Sequence, residues 1–149
     1  MKKIFYPIVF FLFFLLPSSV FAEQVNSFSS DISVNTDGTI SVSESIVYDF
    51  GNEERHGIFR TIDRVKENQE GKKFVLDIDV ISVTDESDNP IQYDESIEGE
   101  YVNLKIGDPN MTISGAHTYR INYTARGALT YFSDYDEFYW NATGNNWEV

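Results

Sequence analysis

The chain contains no cysteine and only two histidines, and acidic residues far outnumber basic ones. Without cysteine there is no disulfide, no thiol nucleophile and no residue to carry a lipid behind a leader. A hydrophobic core must therefore hold the fold unaided. His56 and His117 lie far apart and show neither His-x-His nor His-x-x-x-His spacing, so no zinc or other transition-metal centre is indicated. The 11 Lys and Arg against 24 Asp and Glu leave a formal charge of −13. A surface of that sign repels polyanions, which excludes nucleic acid as a partner and opposes adsorption to anionic lipid. Apolar residues at sustained three-four spacing are also lacking beyond residue 22, so no long helix is predicted there.

What is present begins with the leader. Met1-Lys2-Lys3 is a short basic start, Ile4 to Leu16 is apolar apart from Pro7, and Val20-Phe21-Ala22 offers a cut before Glu23. That is the layout of a secretory signal peptide, with an apolar run too short to cross about 30 Å of hydrocarbon as a permanent helix. The expected organisation is a signal peptide over 1–22 and one extracytoplasmic domain over 23–149. Losing Lys2 and Lys3 takes the formal charge from −13 to −15.

The exported part has period two almost throughout. Phe28 to Val34 places Phe28, Ile32 and Val34 on one face, and Asp37-Gly38 reads as a tight hairpin turn. Thr39 to Phe50 aligns Ile40, Val42, Ile46, Tyr48 and Phe50. Phe74 to Val83 aligns Phe74, Leu76, Ile78 and Val80. Tyr101 to Ile106 gives Val102, Leu104 and Ile106, and His117 to Ala125 gives Tyr119, Ile121 and Tyr123. Turn-rich spacers separate these runs, and Asn52 to Val65 is left open to a short helical turn. Glu137 to Ala142 and Trp147-Glu148-Val149 both read as strand. The pattern predicts an all-β, antiparallel sandwich-like domain. The strand-like finish adds the expectation of an N-terminal piece of a longer protein.

Glu44 is the anomaly, a carboxylate on the apolar face between Val42 and Ile46. Burying it bare costs several kcal/mol, so it needs a partner. Arg60 or His56 folding back onto it makes a structural polar cluster of Glu44, His56 and Arg60; the alternative is a bulge that turns Glu44 outward. Two acidic loops, Asp85 to Asp88 and Asp134 to Glu137, crowd hard oxygen ligands. The second, with Asp134, Asp136 and Glu137, is the candidate calcium loop, although neither has EF-hand order. No Gly-x-Ser-x-Gly elbow is present, and abundant acids make any chosen hydrolase pair uninformative. No catalytic residue is assigned and no cofactor is expected. Tyr131, Phe132, Tyr135, Phe138, Tyr139, Trp140 and Trp147 offer a carbohydrate-stacking platform, but alternation sends Phe138 and Trp140 to the core instead.

Four ordered segments carry a resemblance: Arg55 to Ile62, Leu104 to Pro109, Thr118 to Tyr123 and Asp136 to Trp147. With Val42 to Ile46, they resemble the N-terminal region of a family of predicted bacterial membrane proteins, domain-of-unknown-function family 2207. The resemblance covers the whole exported part. It implies a signal peptide, an extracytoplasmic β-rich region, then membrane-spanning helices and a cytoplasmic tail, and it transfers no catalytic residue. The resulting expectation is a non-catalytic binding, sensing or assembly domain. Its membrane tether lies in C-terminal segments beyond this chain, and its partner is an unidentified protein or envelope ligand. The rival is a cell-envelope hydrolase acting on glycan or peptide.

Overall fold

The computed structural model describes residues 23–68 and 70–144. The expected signal peptide and the strand expected at Trp147-Glu148-Val149 lie outside the described residues. Eleven strands follow in order: β1 (Gln24–Val34), β2 (Thr39–Asp49), β3 (Ile58–Asp63), β4 (Val65–Glu67), β5 (Lys73–Val75), β6 (Asp77–Thr84), β7 (Tyr93–Glu98), β8 (Tyr101–Ile106), β9 (Ala116–Arg126), β10 (Leu129–Tyr131) and β11 (Asp136–Phe138). There is no helix among the described residues. A four-stranded sheet, β1-β2-β9-β6, faces a three-stranded sheet, β3-β8-β7, and two hairpins, β4-β5 and β10-β11, complete the all-β fold. Every strand pair is antiparallel.

Alternation builds the core. β2 and β9 occupy the centre of the larger sheet and pair along their whole length, from Thr39 opposite Arg126 to Asp49 opposite Ala116. Their inward residues Ile40, Val42, Ile46, Tyr119, Ile121, Tyr123 and Ala125 are buried. They meet Ile58, Ile62, Val102, Leu104 and Ile106 of the smaller sheet in one apolar cluster. A strand with neighbours on both sides and a sheet packed over one face must keep strict period two, because a one-residue slip would expose the whole apolar set.

The structure departs from the sequence reading where local geometry intervenes. Asn52 to Val65 holds no helical turn; it is a loop leading into β3 and the start of β4. The run from Phe74 breaks at Leu76 into β5 and β6. The β6 register then shifts between Val80 and Ser82, leaving Ile81 62% exposed while Val83 is returned to the core. That bulge explains how apolar residues of both parities share one strand. At the first hairpin only Gly38 has positive φ, and the Gly38 N–H donates to the Asn35 carbonyl. Asp37 accepts from the Thr39 N–H and hydroxyl, bonds that hold its carboxyl below the usual range. The turn is thus a wider loop ending in a left-handed glycine, not a two-residue turn with both φ positive. Of the strand expected over Glu137 to Ala142, only Glu137 and Phe138 fall in β11. Edge strand β7 has no strong sequence signal, since its only apolar residues are Tyr93 and Ile97 among acids and a serine.

Gly57 and Gly107 fix the entrance to the β3-β8 ladder. A Cβ on Gly57 (φ +140°) would lie 1.8 Å from the Ile106 carbonyl oxygen, and one on Gly107 (φ +132°) 1.8 Å from that of His56. Backbone cannot yield to such a clash, whereas Gly99 (φ +59°) has nothing within 4 Å. Gly57→Ala and Gly107→Ala are each expected to destabilise by about 3 kcal/mol, and Gly99→Ala by only about 1 kcal/mol. Urea unfolding of the three variants checks the order, and equal midpoints would refute it.

Candidate functional site

Between the two sheets lies the chain's buried polar centre. Glu44 projects inward from β2 and Arg60 from β3, and both are almost wholly buried, at 0% and 1% exposure. Arg60 Nε donates to Glu44 Oε2 at 2.7 Å, and Nη2 donates to Oε1 at 2.7 Å, a bidentate pair. Its remaining N–H groups reach backbone: Nη1 donates to the Thr61 and Thr143 carbonyls at 2.7 and 3.2 Å, and Nη2 to Ala142 at 2.8 Å. All five guanidinium donors are thereby used. Tyr123, which the sequence reading did not place here, donates its hydroxyl to Glu44 Oε1 at 2.8 Å. Trp140 packs on the Tyr123 ring at 5.9 Å, and Phe28 lies 5.5 Å from the guanidinium. Its place in the inward alternation of β9 was the only sequence signal for Tyr123; the pairing that sets it opposite Val42, diagonal to Glu44, came from the structure.

His56 is not part of this centre. It is exposed in the β2-β3 loop, with Nδ1 2.8 Å from the Met111 carbonyl. His117 is similarly held, Nε2 lying 3.0 Å from the Ser114 carbonyl. Tertiary structure nevertheless brings both imidazoles to one open cleft of about 250 Å³, whose wall includes Asp85, Glu86, Asp108 and Tyr119. The Asp85 carboxylate is engaged by its own turn, accepting from the N–H groups of Ser87 and Asn89 and from the Asn89 amide. Those bonds, led by the Asn89 side chain, lower its pKa. Asp108 likewise accepts from Asn110. No three His, Asp or Glu side chains converge on a metal-sized space among the described residues. Burial pushes the Tyr119 hydroxyl up to about 12.

The third feature is the β10-β11 hairpin. Buried Ala128 and the Lys66 ammonium root it: Lys66 Nζ donates to the Ala128 and Leu129 carbonyls and to the Thr130 hydroxyl at 2.9 Å. Loss of solvent around that amine lowers its pKa, with the Glu137 carboxylate acting in the opposite sense. Tyr131, Phe132, Tyr135, Phe138 and Tyr139 are all exposed, at 65, 47, 58, 42 and 56%. Phe132 and Tyr135 stack with centroids 4.7 Å apart. The core assignment of Phe138 is therefore corrected. Its alternation is real, but β10-β11 is a separate two-stranded sheet, and among the described residues Phe138 is left exposed on it. Trp140, two residues on, is half-buried and packs against the core. Asp134, Asp136 and Glu137 sit among the exposed rings, with no hydrogen bond or ion pair to another described side chain.

Removing one member of the central pair leaves a buried charge alone. Arg60→Met is expected to cost about 3–5 kcal/mol, and Glu44→Leu with Arg60→Met to recover most of that loss. Denaturant midpoints decide it; wild-type stability in Arg60→Met would sink the idea. A second outcome concerns alkali. Burial, then the neighbouring Glu44 carboxylate, keeps the Tyr123 hydroxyl protonated well above the phenol range, and Tyr119 titrates near 12. Unfolded tyrosine ionises near 10, so above that pH the unfolded chain releases protons that the folded chain retains. Stability is unaffected by these groups below pH 10 and falls as pH rises from about 10 to 12. Absorbance at 295 nm and circular dichroism followed together test this, with both tyrosines expected to ionise only as strand signal is lost.

Comparison with known proteins gives one match. No curated protein and no solved structure matches the chain. A family model described as "Predicted membrane protein (DUF2207) N-terminal domain" matches residues 24–149, which takes in the central pair, the cleft and the hairpin. The chain belongs to that family of predicted membrane proteins, as an N-terminal domain.

Proposed function

We propose that this is an exported, non-catalytic binding domain of a membrane-tethered protein, and that it engages its partner through the β10-β11 hairpin. The observation that carries the reading is the set of five exposed rings between Tyr131 and Tyr139, on a hairpin rooted by Lys66 and Ala128. Five large aromatic side chains in nine residues are left in water beside a well-filled core, two of them stacked, and such a concentration of exposed apolar surface marks an interaction site. Most polar groups of the buried centre and of the cleft are committed elsewhere, Glu86 of the cleft wall excepted. Glu44, Arg60 and Tyr123 satisfy one another, His56 and His117 bond backbone carbonyls, and Asp85 and Asp108 cap their own turns. That distribution favours a binding domain over a hydrolase. Export is supported by the basic start and apolar run of the leader, and tethering by membership of a membrane-protein family.

Tyrosine-selective labelling tests the reading. In intact cells Tyr131, Tyr135 and Tyr139 are expected to react several-fold more slowly than in the purified chain, while half-buried Tyr93 and Tyr101 serve as internal references. Chain recovered from the envelope fraction is expected to begin at Glu23. Equal labelling in cells and in solution overturns the binding role of the hairpin, and a cytoplasmic chain beginning at Met1 overturns export.

A further inference from the structure

The hairpin carries more than rings. Asp134 lies in its turn, Asp136 opposite Tyr131, and Glu137 opposite Thr130, so three carboxylates alternate with five aromatic side chains within nine residues. All three are exposed and none lies in a close ion pair among the described residues, although Glu137 also acts on the Lys66 ammonium that roots the hairpin. Some acids elsewhere are occupied, Asp88 by Arg120, Glu100 by Lys73 and Glu23 by Arg55, and the exposed acids of β7 have only Tyr93 and Ile97 as apolar company on their strand. The hairpin thus presents negative charge beside aromatic faces, on a chain of net charge −13.

We infer that the hairpin binds a cationic, apolar-interleaved peptide segment of a partner protein, a deepening that rests on the binding role proposed above. Guanidinium and ammonium groups are attracted both to carboxylates and to the faces of Tyr and Phe rings. Apolar side chains between the cations complete the desolvation of Tyr131, Phe138 and Tyr139. Charge complementarity selects this occupant. An anionic bilayer is repelled by the three carboxylates, and a second copy of this acidic chain is repelled as a whole. A neutral glycan can stack on the rings but draws no advantage from the net charge around them.

The experiment uses the full chain, titrated by calorimetry with a twelve-residue peptide of alternating Arg and Leu. Its Glu-for-Arg counterpart, cello- and chito-oligosaccharides and phosphatidylcholine vesicles are the other probes. Wild type is expected to bind the Arg-Leu peptide, with affinity falling as salt rises, and to ignore the Glu-Leu peptide. Tyr135→Ala with Phe138→Ala keeps every charge and is expected to weaken binding at least about tenfold, which general adsorption of a cation to an acidic protein would not do. Asp134→Asn, Asp136→Asn and Glu137→Gln together are expected to weaken it similarly and to flatten the salt dependence. Unchanged melting temperatures show that the exposed substitutions leave the fold intact. Undiminished binding by the Tyr135 and Phe138 variant, or none by wild type, overturns the inference. Salt-insensitive binding of an oligosaccharide or vesicle, lost in the same variant, overturns the cationic partner while leaving the hairpin's binding role standing.

Discussion

The bidentate contact between Glu44 and Arg60 is the constraint on which the arrangement of this domain depends. Two charges removed from water are tolerated only when every donor and most acceptor sites find partners. That requirement dictates geometry. The two sheets must face each other with β2 and β3 in one relative position, and β9 must hold Tyr123 over the same carboxylate. A one-residue slip of β2 would turn Glu44 to solvent and strand Arg60 in the core. Apolar packing already opposes a one-residue slip but tolerates a slip of two, which keeps the inward face and exchanges one aliphatic side chain for another at modest cost; the ion pair excludes that as well.

The guanidinium also reaches beyond the sheets. Its bonds to the Ala142 and Thr143 carbonyls tie the segment after β11 to the core, and Trp140 packs on Tyr123 beside it. The aromatic hairpin is held from both flanks, by Ala128 and Lys66 before and within it and by this segment after it. Anchoring the hairpin backbone in this way lowers the ordering entropy that binding through its rings must overcome. The cleft near His56 and His117 lies toward the other end of the central strands: Tyr48 stands opposite His117, whereas Thr39, beside the hairpin, stands opposite Arg126. The domain therefore separates an acidic aromatic end from an end where histidines and turn-capping acids line a shallow space.

Legibility in the sequence followed the number of neighbours each strand has. β2, β8 and β9 lie inside their sheets, and their alternation translated directly into burial. Edge strand β7 did not announce itself, since it answers to one neighbour and its Asp94, Glu95 and Glu98 suit a solvent-facing edge. The β6 bulge and the break at Leu76 were hidden because period-two reasoning assumes an uninterrupted ladder. Glu44 stood out as an inward carboxylate, with Arg60 and His56 both within reach along the chain. Only Arg60 lies on the inward face of a strand opposite β2, and His56 sits one turn earlier in a loop. Phe138 illustrates the reverse failure, for alternation shows that a residue has a face but not whether anything covers it.

The sequence by itself determined the strand-dominated class, the acidic surface, reliance on an apolar core without disulfides, and that Glu44 needs either a partner or a bulge that turns it outward. Each is a property of residue type and spacing, which local chemistry reads without knowing what lies across the core. Tertiary structure alone decided that Glu44 points inward, which cation answers it, that Tyr123 joins it, and that the two histidines share one cleft. It also decided that the aromatic run near the end of the described chain faces solvent. These depend on contacts between residues dozens of positions apart, and on which sheet faces find a cover. Pairing of that kind is a property of the assembled sheets and is encoded at no single place along the chain.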